Sequence, residues 1–191
     1  MCGRRRAGAG LRFREKTAMP ANKVKLGFAP TRRTVFDKVE AKHYKDAIEH
    51  RLRDWNVNFT NLDFLNEEGL LFDIGDAKKA AERFMAEGVD AVFIPHCNFG
   101  AEDATAKLCK LVGKPVLLWG PRDDAPGPDG ARKRDTQCGL FATSKVLRRY
   151  GVPFTYVANS WVDGHEIERG VKAFLKAVSY THLTLPTKRI V

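Results

Sequence analysis

Short apolar runs alternate with longer amphipathic segments along most of the chain. Runs rich in Val, Ile, Leu and Phe predict five strands, at residues 24–29, 57–62, 91–95, 116–119 and 154–157. Apolar residues at helical spacing predict a helix after each strand, at residues 35–54, 76–87, 101–112, 137–150 and 165–178. This alternation predicts an α/β fold with three α-β-α layers, built on a doubly wound, mostly parallel five-stranded sheet of Rossmann/flavodoxin-like type.

Polar and aromatic residues cluster directly after the third and fourth predicted strands. The two loops carry His96, Asn98, Phe99, Glu102 and Asp103, then Trp119, Arg122, Asp123, Asp124 and Gln137. The carboxyl ends of parallel strands meet at one edge of a sheet, where ligands bind in open α/β folds. The mixture of neutral hydrogen-bonding groups, charges and flat rings suits a sugar better than a nucleotide. Ordinary solvated loops remain the alternative.

The connection at residues 121–136 is longer than the ~2–6 residues that usually join a strand to a helix. Its sequence, PRDDAPGPDGARKRDT, is rich in turn-forming residues. A functional lid, a subunit contact and a flexible insertion all fit this composition.

The net charge of +10 lies mainly at the two ends of the chain. Residues 1–18 contain six basic residues and one acid, and residues 179–191 add two more basic residues. The remaining +3 does not indicate a nucleic-acid-binding face, which needs basic residues grouped on folded elements. No apolar run reaches the roughly 18–20 residues that a membrane span requires. We therefore expect neither a nucleic-acid partner nor a membrane partner.

Cysteine usage and missing motifs exclude several classes of enzyme. The four cysteines, Cys2, Cys97, Cys109 and Cys138, have no C-x-x-C spacing, and reduced thiols in the cytoplasm are expected. Cys109 is expected in the core, whereas a nucleophilic Cys97 or Cys138 would need a lowered thiol pKa. The chain lacks G-x-G-x-x-G, G-x-x-x-x-G-K-[ST], H-E-x-x-H and G-x-S-x-G. Dinucleotide dehydrogenases and P-loop NTPases are therefore not expected.

Both ends of the chain differ in character from the part between them. Residues 1–18 are Arg-rich, which fits either a transit peptide or read-through of DNA upstream of a true start at Met19. The helical pattern of residues 165–178 breaks at Val178 into SYTHLTLPTKRIV. The run VSYTHLTLPT resembles one reading frame of a sequencing-library adapter. We therefore expect a non-structural extension at 1–18, one α/β domain at 19–177 and an artefactual tail at 178–191, with the natural protein continuing past Ala177.

Four segments together resemble the N-terminal domain of the L-fucose/L-arabinose isomerase family. They are LGFAPTRR, IPHCNFGAEDA, LLWGPRDDAPGPDGARKRDTQCG and NSWVDG, in this order within residues 25–177. The resemblance implies an aldose–ketose isomerase that moves a proton between C1 and C2 through an enediol, held by a divalent metal that is usually Mn²⁺. It also implies that the metal ligands come from later domains, so that this chain alone is inactive.

The resemblance further implies that the domain recognises the sugar and packs over a neighbouring subunit's active site in a homo-oligomer, a trimer or hexamer. Carried onto this chain, the sugar-binding candidates are Arg32, Arg33, Cys97, Asn98 and Phe99. Relatives often have an arginine where Ala29 stands and a tryptophan near Cys97, so the identity of the sugar stays open.

Two further candidates come from the residues themselves. Trp161 offers a face on which a sugar could stack, and Gln137 opens a helix whose first N–H groups face the predicted site. Trp119 is expected to be structural. A sugar-binding sensor and a free-standing assembly domain without catalysis remain alternative functions, although a sensor should show a secretion signal or a DNA-binding headpiece, and neither is visible.

Overall fold

The computed structural model describes residues 24–184. Strands and helices alternate from the first element to the last. The strands are β1 Lys25–Phe28, β2 Asn58–Thr60, β3 Ala91–Pro95, β4 Val116–Trp119 and β5 Phe154–Val157. The helices are α1 Lys38–Asp54, α2 Asp76–Ala86, α3 Glu102–Val112, α4 Thr136–Arg149 and α5 His165–Thr184. None of these helices within the described residues is long and apolar enough to cross a bilayer.

All five strands are parallel, in the order β2-β1-β3-β4-β5. Helices α1 and α5 pack with one face of the sheet, and α2, α3 and α4 pack with the other. The central strands β3 and β4 are buried on both faces of the sheet, which explains why they are apolar at every position rather than alternating. The predicted three-layer, doubly wound fold is therefore confirmed.

The expected core residues are buried as predicted. Trp119 has no exposed surface, lies 6.4 Å from Phe93 between ring centroids, and donates from Nε1 to Ser160 Oγ at 3.3 Å. Its indole is therefore structural. Cys109 is also buried, on the opposite face of the sheet.

Two predicted helix ends differ from the observed ones by three residues or more. Helix α1 begins at Lys38 rather than at residue 35, because the side chain of Asp37 accepts hydrogen bonds from Val39 N and Glu40 N and so caps the helix. Helix α5 continues to Thr184, so the predicted break at Val178 is wrong. The segment from 179 to 184 contains neither glycine nor proline, and nothing in it forces the helix to end.

The assignment of the two ends of the chain stays a prediction. Residues 1–23 and 185–191 lie outside the described residues, so the proposed extension at 1–18 and most of the proposed tail fall there.

Candidate functional site

The order of the strands changes direction between β1 and β3. From β1 the chain passes to α1 on one face of the sheet, and from β3 it passes to α3 on the other face. The loops at the carboxyl ends of these two neighbouring strands therefore diverge, which is where open α/β sheets bind ligands. These loops contain five of the predicted sugar-binding residues.

The base of this site is a rigid hydrogen-bonded backbone. Thr31 bridges to both Leu71 and His96, so the pairing of β1 and β3 continues beyond the strands. Thr31 N donates to Pro95 O, and Cys97 N donates to Thr31 O, each at 2.9 Å. Thr31 Oγ1 also lies 2.8 Å from His96 Nδ1. The two loops therefore start from a fixed geometry.

Asn98 joins the two loops through its side-chain amide. Its Oδ1 accepts from Arg33 N at 2.8 Å, and its Nδ2 donates to Arg33 O and Asp37 O, both at 3.2 Å. The residue is completely buried. Because its amide is used by backbone groups, Asn98 holds the loop that carries Arg33.

Arg33 and Phe99 form the accessible part of the site. The guanidinium of Arg33 lies 4.3 Å from the centroid of the Phe99 ring and forms an ion pair with Glu102. Phe99 stacks on Phe36, with centroids 5.4 Å apart and rings 17° from parallel. The Arg33 side chain keeps 37% of its surface exposed. A cation on an aromatic ring can bind the hydroxyl groups and C–H faces of a polyol.

Two strongly exposed valines belong to the same loop and the first turn of α1. Val35 is 81% exposed and Val39 is 72% exposed. We call Arg33, Val35, Phe36, Val39 and Phe99 the switch-point patch. Neighbouring apolar residues with this exposure are typical of a surface that contacts another chain.

Arg32 points elsewhere, although it is next to Arg33 in sequence. It forms a two-pronged ion pair with Glu68, at 2.5 Å from Nε and 3.2 Å from Nη2, and lies 3.8 Å from the centroid of Phe72. Only 7% of its surface is exposed. Arg32 therefore secures the connection between β2 and α2.

Cys97 and His96 lie beneath the site and are buried. Burial raises the pKa of the Cys97 thiol above its ordinary value, although Arg134 and Lys45 oppose the shift. Burial lowers the pKa of His96 to about 3, which keeps the ring neutral. A protonated thiol away from solvent is a poor nucleophile, so the structure favours a packing role for Cys97.

Gln137 and Trp161 lie further along the same edge of the sheet. Gln137 borders a groove between α4 and β5, together with Phe141, Tyr156 and Asn159. Trp161 follows β5 and is 43% exposed, with the guanidinium of Arg122 5.3 Å from its ring. The structure brings Arg33, Asn98 and Phe99 together, and it places Gln137 and Trp161 outside this group.

A second cluster, built on Arg134, was missed by sequence reasoning. Arg134 is 3% exposed, its guanidinium lies 3.2 Å from the centroid of Tyr44, and its Nη2 donates to Arg122 O at 2.6 Å. The same Nη2 lies 3.6 Å from carboxylate oxygens of both Asp123 and Asp124. Nothing in the run ARKRD distinguishes this arginine from its exposed neighbours, because only the position of α1 decides which one is buried.

The carboxylates and the phenol of this cluster are shifted by their surroundings. Burial raises the pKa of Asp123, partly opposed by Arg134 and by hydrogen bonds from Thr136. Burial also raises the pKa of Tyr44 to about 12, and its hydroxyl donates to Asp124 Oδ2 at 3.1 Å. The long loop is thus anchored at both ends, while its middle, residues 125–133, is exposed.

The described residues do not supply a site for a metal ion. Within 24–184, no group of three or more His, Cys, Asp and Glu side chains is placed to hold one. The described residues therefore do not supply the ligands of the Mn²⁺ ion that the resemblance implies, and the expectation that those ligands come from later domains stays a prediction.

Comparison with known proteins gives one family match. A family model described as the N-terminal domain of fucose/sulfoquinovose isomerase matches residues 27–183. Among curated proteins, none matches the chain. A ribose 5-phosphate isomerase from Thermotoga maritima is similar at 15% identity, over 81% of this chain and 99% of that chain, with a TM-score of 0.35. An ABC transporter solute-binding protein from Bacillus halodurans, with bound myo-inositol, is similar at 12% identity, over 82% and 64% of the chains, with a TM-score of 0.34.

Proposed function

Because the chain belongs to the fucose/sulfoquinovose isomerase N-terminal domain family, we propose that it is the sugar-recognition and oligomerisation domain of a cytoplasmic, metal-dependent aldose–ketose isomerase. The observation that carries this proposal is the switch-point patch, where an accessible guanidinium lies on a stacked pair of aromatic rings. Its ligand is a small aldose or ketose, and L-fucose, L-arabinose and sulfoquinovose are the first sugars to test.

Each predicted residue has a distinct part in this proposal. Arg33 donates to sugar hydroxyls, and Phe99 offers the edge of its ring to the C–H surface of the sugar. Asn98 and Arg32 position these two residues through the loops that they hold. Cys97 packs beneath the site, and Gln137 and Trp161 contact only a ligand that extends towards β5.

The exposed valines support a role in assembly. In a homo-oligomer, a trimer or hexamer, Val35 and Val39 pack on a neighbouring subunit and bring Arg33 to that subunit's catalytic part. The Mn²⁺ ion and its carboxylate and histidine ligands then come from the part of the enzyme that follows this domain. When bound, the metal would polarise the two substrate oxygens during proton transfer.

The proposal is tested by ligand-observed NMR of the chain with each aldose at millimolar concentration. We expect saturation transfer to the sugar protons, reduced about tenfold by Arg33→Ala because a charged hydrogen-bond donor is lost. Arg83→Ala is the matched control, since Arg83 also lies near an aromatic ring, 5.7 Å from the centroid of Phe64, but far from the patch. Sugar recognition at the switch-point patch would be contradicted if no sugar showed saturation transfer. It would also be contradicted if Arg33→Ala gave the same transfer as the wild type.

The same preparation tests whether the catalytic groups lie outside this domain. With added Mn²⁺, the chain alone is expected to convert none of the aldoses to its ketose, because the described residues hold no metal site. Conversion above the metal-only background would show that the catalytic groups are within this chain.

A further inference from the structure

Glu102 is the acid that pairs with the accessible guanidinium of the switch-point patch. It is the first residue of α3, and its carboxylate accepts a hydrogen bond from Arg33 Nη2. A carboxylate in the first turn of a helix is stabilised by the helix dipole. The Glu102 side chain keeps only 16% of its surface exposed. The backbone of Arg33 is held in turn by Asn98, so both partners of the ion pair start from fixed positions.

The ion pair presents hydrogen-bond donors and acceptors side by side. A guanidinium has five N–H donors and no acceptor, whereas a carboxylate has only acceptor sites. A sugar hydroxyl both donates and accepts, so two neighbouring hydroxyls can bind Arg33 and Glu102 at the same time. The Phe99 ring, 4.3 Å from the Arg33 guanidinium, supplies an apolar surface beside them. This combination matches a neutral polyol.

The charge around the patch is not positive, although an arginine lies at its centre. Residues 31–40 and 96–103, which form the two loops and the first turns after them, contain three basic and four acidic side chains. One of the three basic residues, Arg32, is already paired with Glu68. His96 adds no charge, because burial lowers its pKa to about 3. A sulfonate or carboxylate on a sugar would therefore lie among acids, and like charges brought together are unfavourable.

We propose that Glu102 selects the ligand of the switch-point patch by charge, so that the patch takes neutral aldoses and excludes sugars with a sulfonate or carboxylate group. Glu102 neutralises Arg33 and accepts from one sugar hydroxyl, while Arg33 donates to a second. This inference rests on the proposed sugar recognition and narrows its substrate class. L-fucose and L-arabinose are neutral and are expected to bind, whereas sulfoquinovose is anionic and is expected to be rejected.

The test compares the wild-type chain with Glu102→Gln, which removes the charge and keeps the size of the side chain. Dissociation constants for L-fucose and sulfoquinovose are measured by ligand-observed NMR at equal ionic strength. The wild type should bind L-fucose at least about tenfold more tightly than sulfoquinovose. In Glu102→Gln, L-fucose should bind about threefold more weakly, because an amide oxygen is a weaker acceptor than a carboxylate. Sulfoquinovose should bind at least about tenfold more tightly, because Arg33 is then free to pair with the sulfonate.

Inorganic sulfate provides a second measurement that does not depend on the stereochemistry of a sugar. Sodium sulfate is titrated against the chemical shift of the Arg33 side-chain N–H, with sodium chloride at equal ionic strength as the reference. We expect Glu102→Gln to bind sulfate at least about tenfold more tightly than the wild type. Glu87→Gln is the matched control, since it removes the same charge from an ion pair with Lys25, at the amino end of the sheet. Circular dichroism checks that both variants are folded.

Opposite changes for the neutral and the anionic ligand separate selection by charge from a loss of structure, which would weaken both. The proposal is overturned if the wild type binds sulfoquinovose as tightly as L-fucose, a comparison that needs no variant. It is also overturned if Glu102→Gln gains affinity for neither sulfoquinovose nor sulfate, or if Glu87→Gln gains as much. A wild type that binds no sugar at all would contradict the proposed function instead, and the sulfate titration would still show whether Glu102 neutralises Arg33.

Discussion

At the scale of single residues, the site depends on close contacts that tolerate little change. Gly139, in the first turn of α4, faces the carbonyl group of Phe99 so closely that a Cβ atom would overlap Phe99 O. Asp135 N meanwhile donates to Asn98 O at 2.7 Å, so the start of α4 is tied directly to the loop after β3. The position of Phe99 therefore depends on a glycine forty residues later in the chain.

We predict that Gly139→Ala destabilises the protein by more than about 3 kcal/mol, because the clash is with backbone atoms that cannot rotate away. Gly88→Ala is the control. Gly88 has a φ of 65°, and no atom lies within 4 Å of the position that an alanine methyl group would occupy. This variant is therefore expected to lose only about 1 kcal/mol, from backbone strain. Urea denaturation of the two variants measures the difference. Equal losses of unfolding free energy would contradict the clash.

At the scale of elements, the connection from β4 to α4 is ordered by one buried arginine. Arg134 reaches across to Tyr44 of α1 and to the carbonyl of Arg122 at the start of the same connection. The side chain of Asp123 accepts from Thr136 N at 2.9 Å, which closes the connection on itself. Of the three sequence interpretations of this segment, a purely flexible insertion fits least well with these anchors.

Arg134→Ala is expected to lower the free energy of unfolding, measured by urea denaturation, by about 3 kcal/mol. The reason is that the half-buried Asp123 carboxylate loses its nearest cation. Hydrogen exchange of residues 121–135 should accelerate in this variant, since the link to α1 is lost. Arg132→Ala removes an exposed arginine two residues earlier and should change neither measurement by much. Comparable exchange in both variants would show that Arg134 does not order the connection.

At the scale of the whole molecule, acid stability should depend strongly on one buried histidine. His96 is neutral in the fold because burial lowers its pKa to about 3, and its Nε2 has no hydrogen-bond partner among the described residues. An unfolded histidine takes up its proton near pH 6.5. Between these two values the unfolded chain binds more protons than the folded protein, so stability is retained above about pH 6.5 and is lost as the pH falls towards 3.

The corresponding prediction is a loss of up to about 1.4 kcal/mol of unfolding free energy per pH unit in this range, from His96 alone. The His96→Gln variant keeps a polar side chain beside Thr31, but this side chain does not titrate. The unfolding free energy of the variant should therefore change less with pH than that of the wild type. Denaturant unfolding at a series of pH values measures both slopes. The same slope in both proteins would mean that His96 is not the group responsible.

The amino-acid sequence by itself determined the fold class, the approximate place of every strand and helix, and the edge of the sheet that carries polar loops. These features follow from hydrophobic periodicity and turn residues, which act over a few positions and can be recognised locally. The sequence also contained the four segments that resemble the isomerase family, and the match over residues 27–183 confirms this relationship.

Only the tertiary structure decided what each candidate side chain does. Arg32 and Arg33 are neighbours in sequence, yet one is buried against Glu68 and the other is exposed over Phe99. The amide of Asn98 is used by the backbone of a loop sixty-five residues away, and Arg134 is buried by a helix that ends eighty residues earlier. Which two strands form the edges of the sheet is likewise known only once the strand order is known. Burial, hydrogen-bond partners and edge position depend on residues distant in the chain, and no local pattern encodes them.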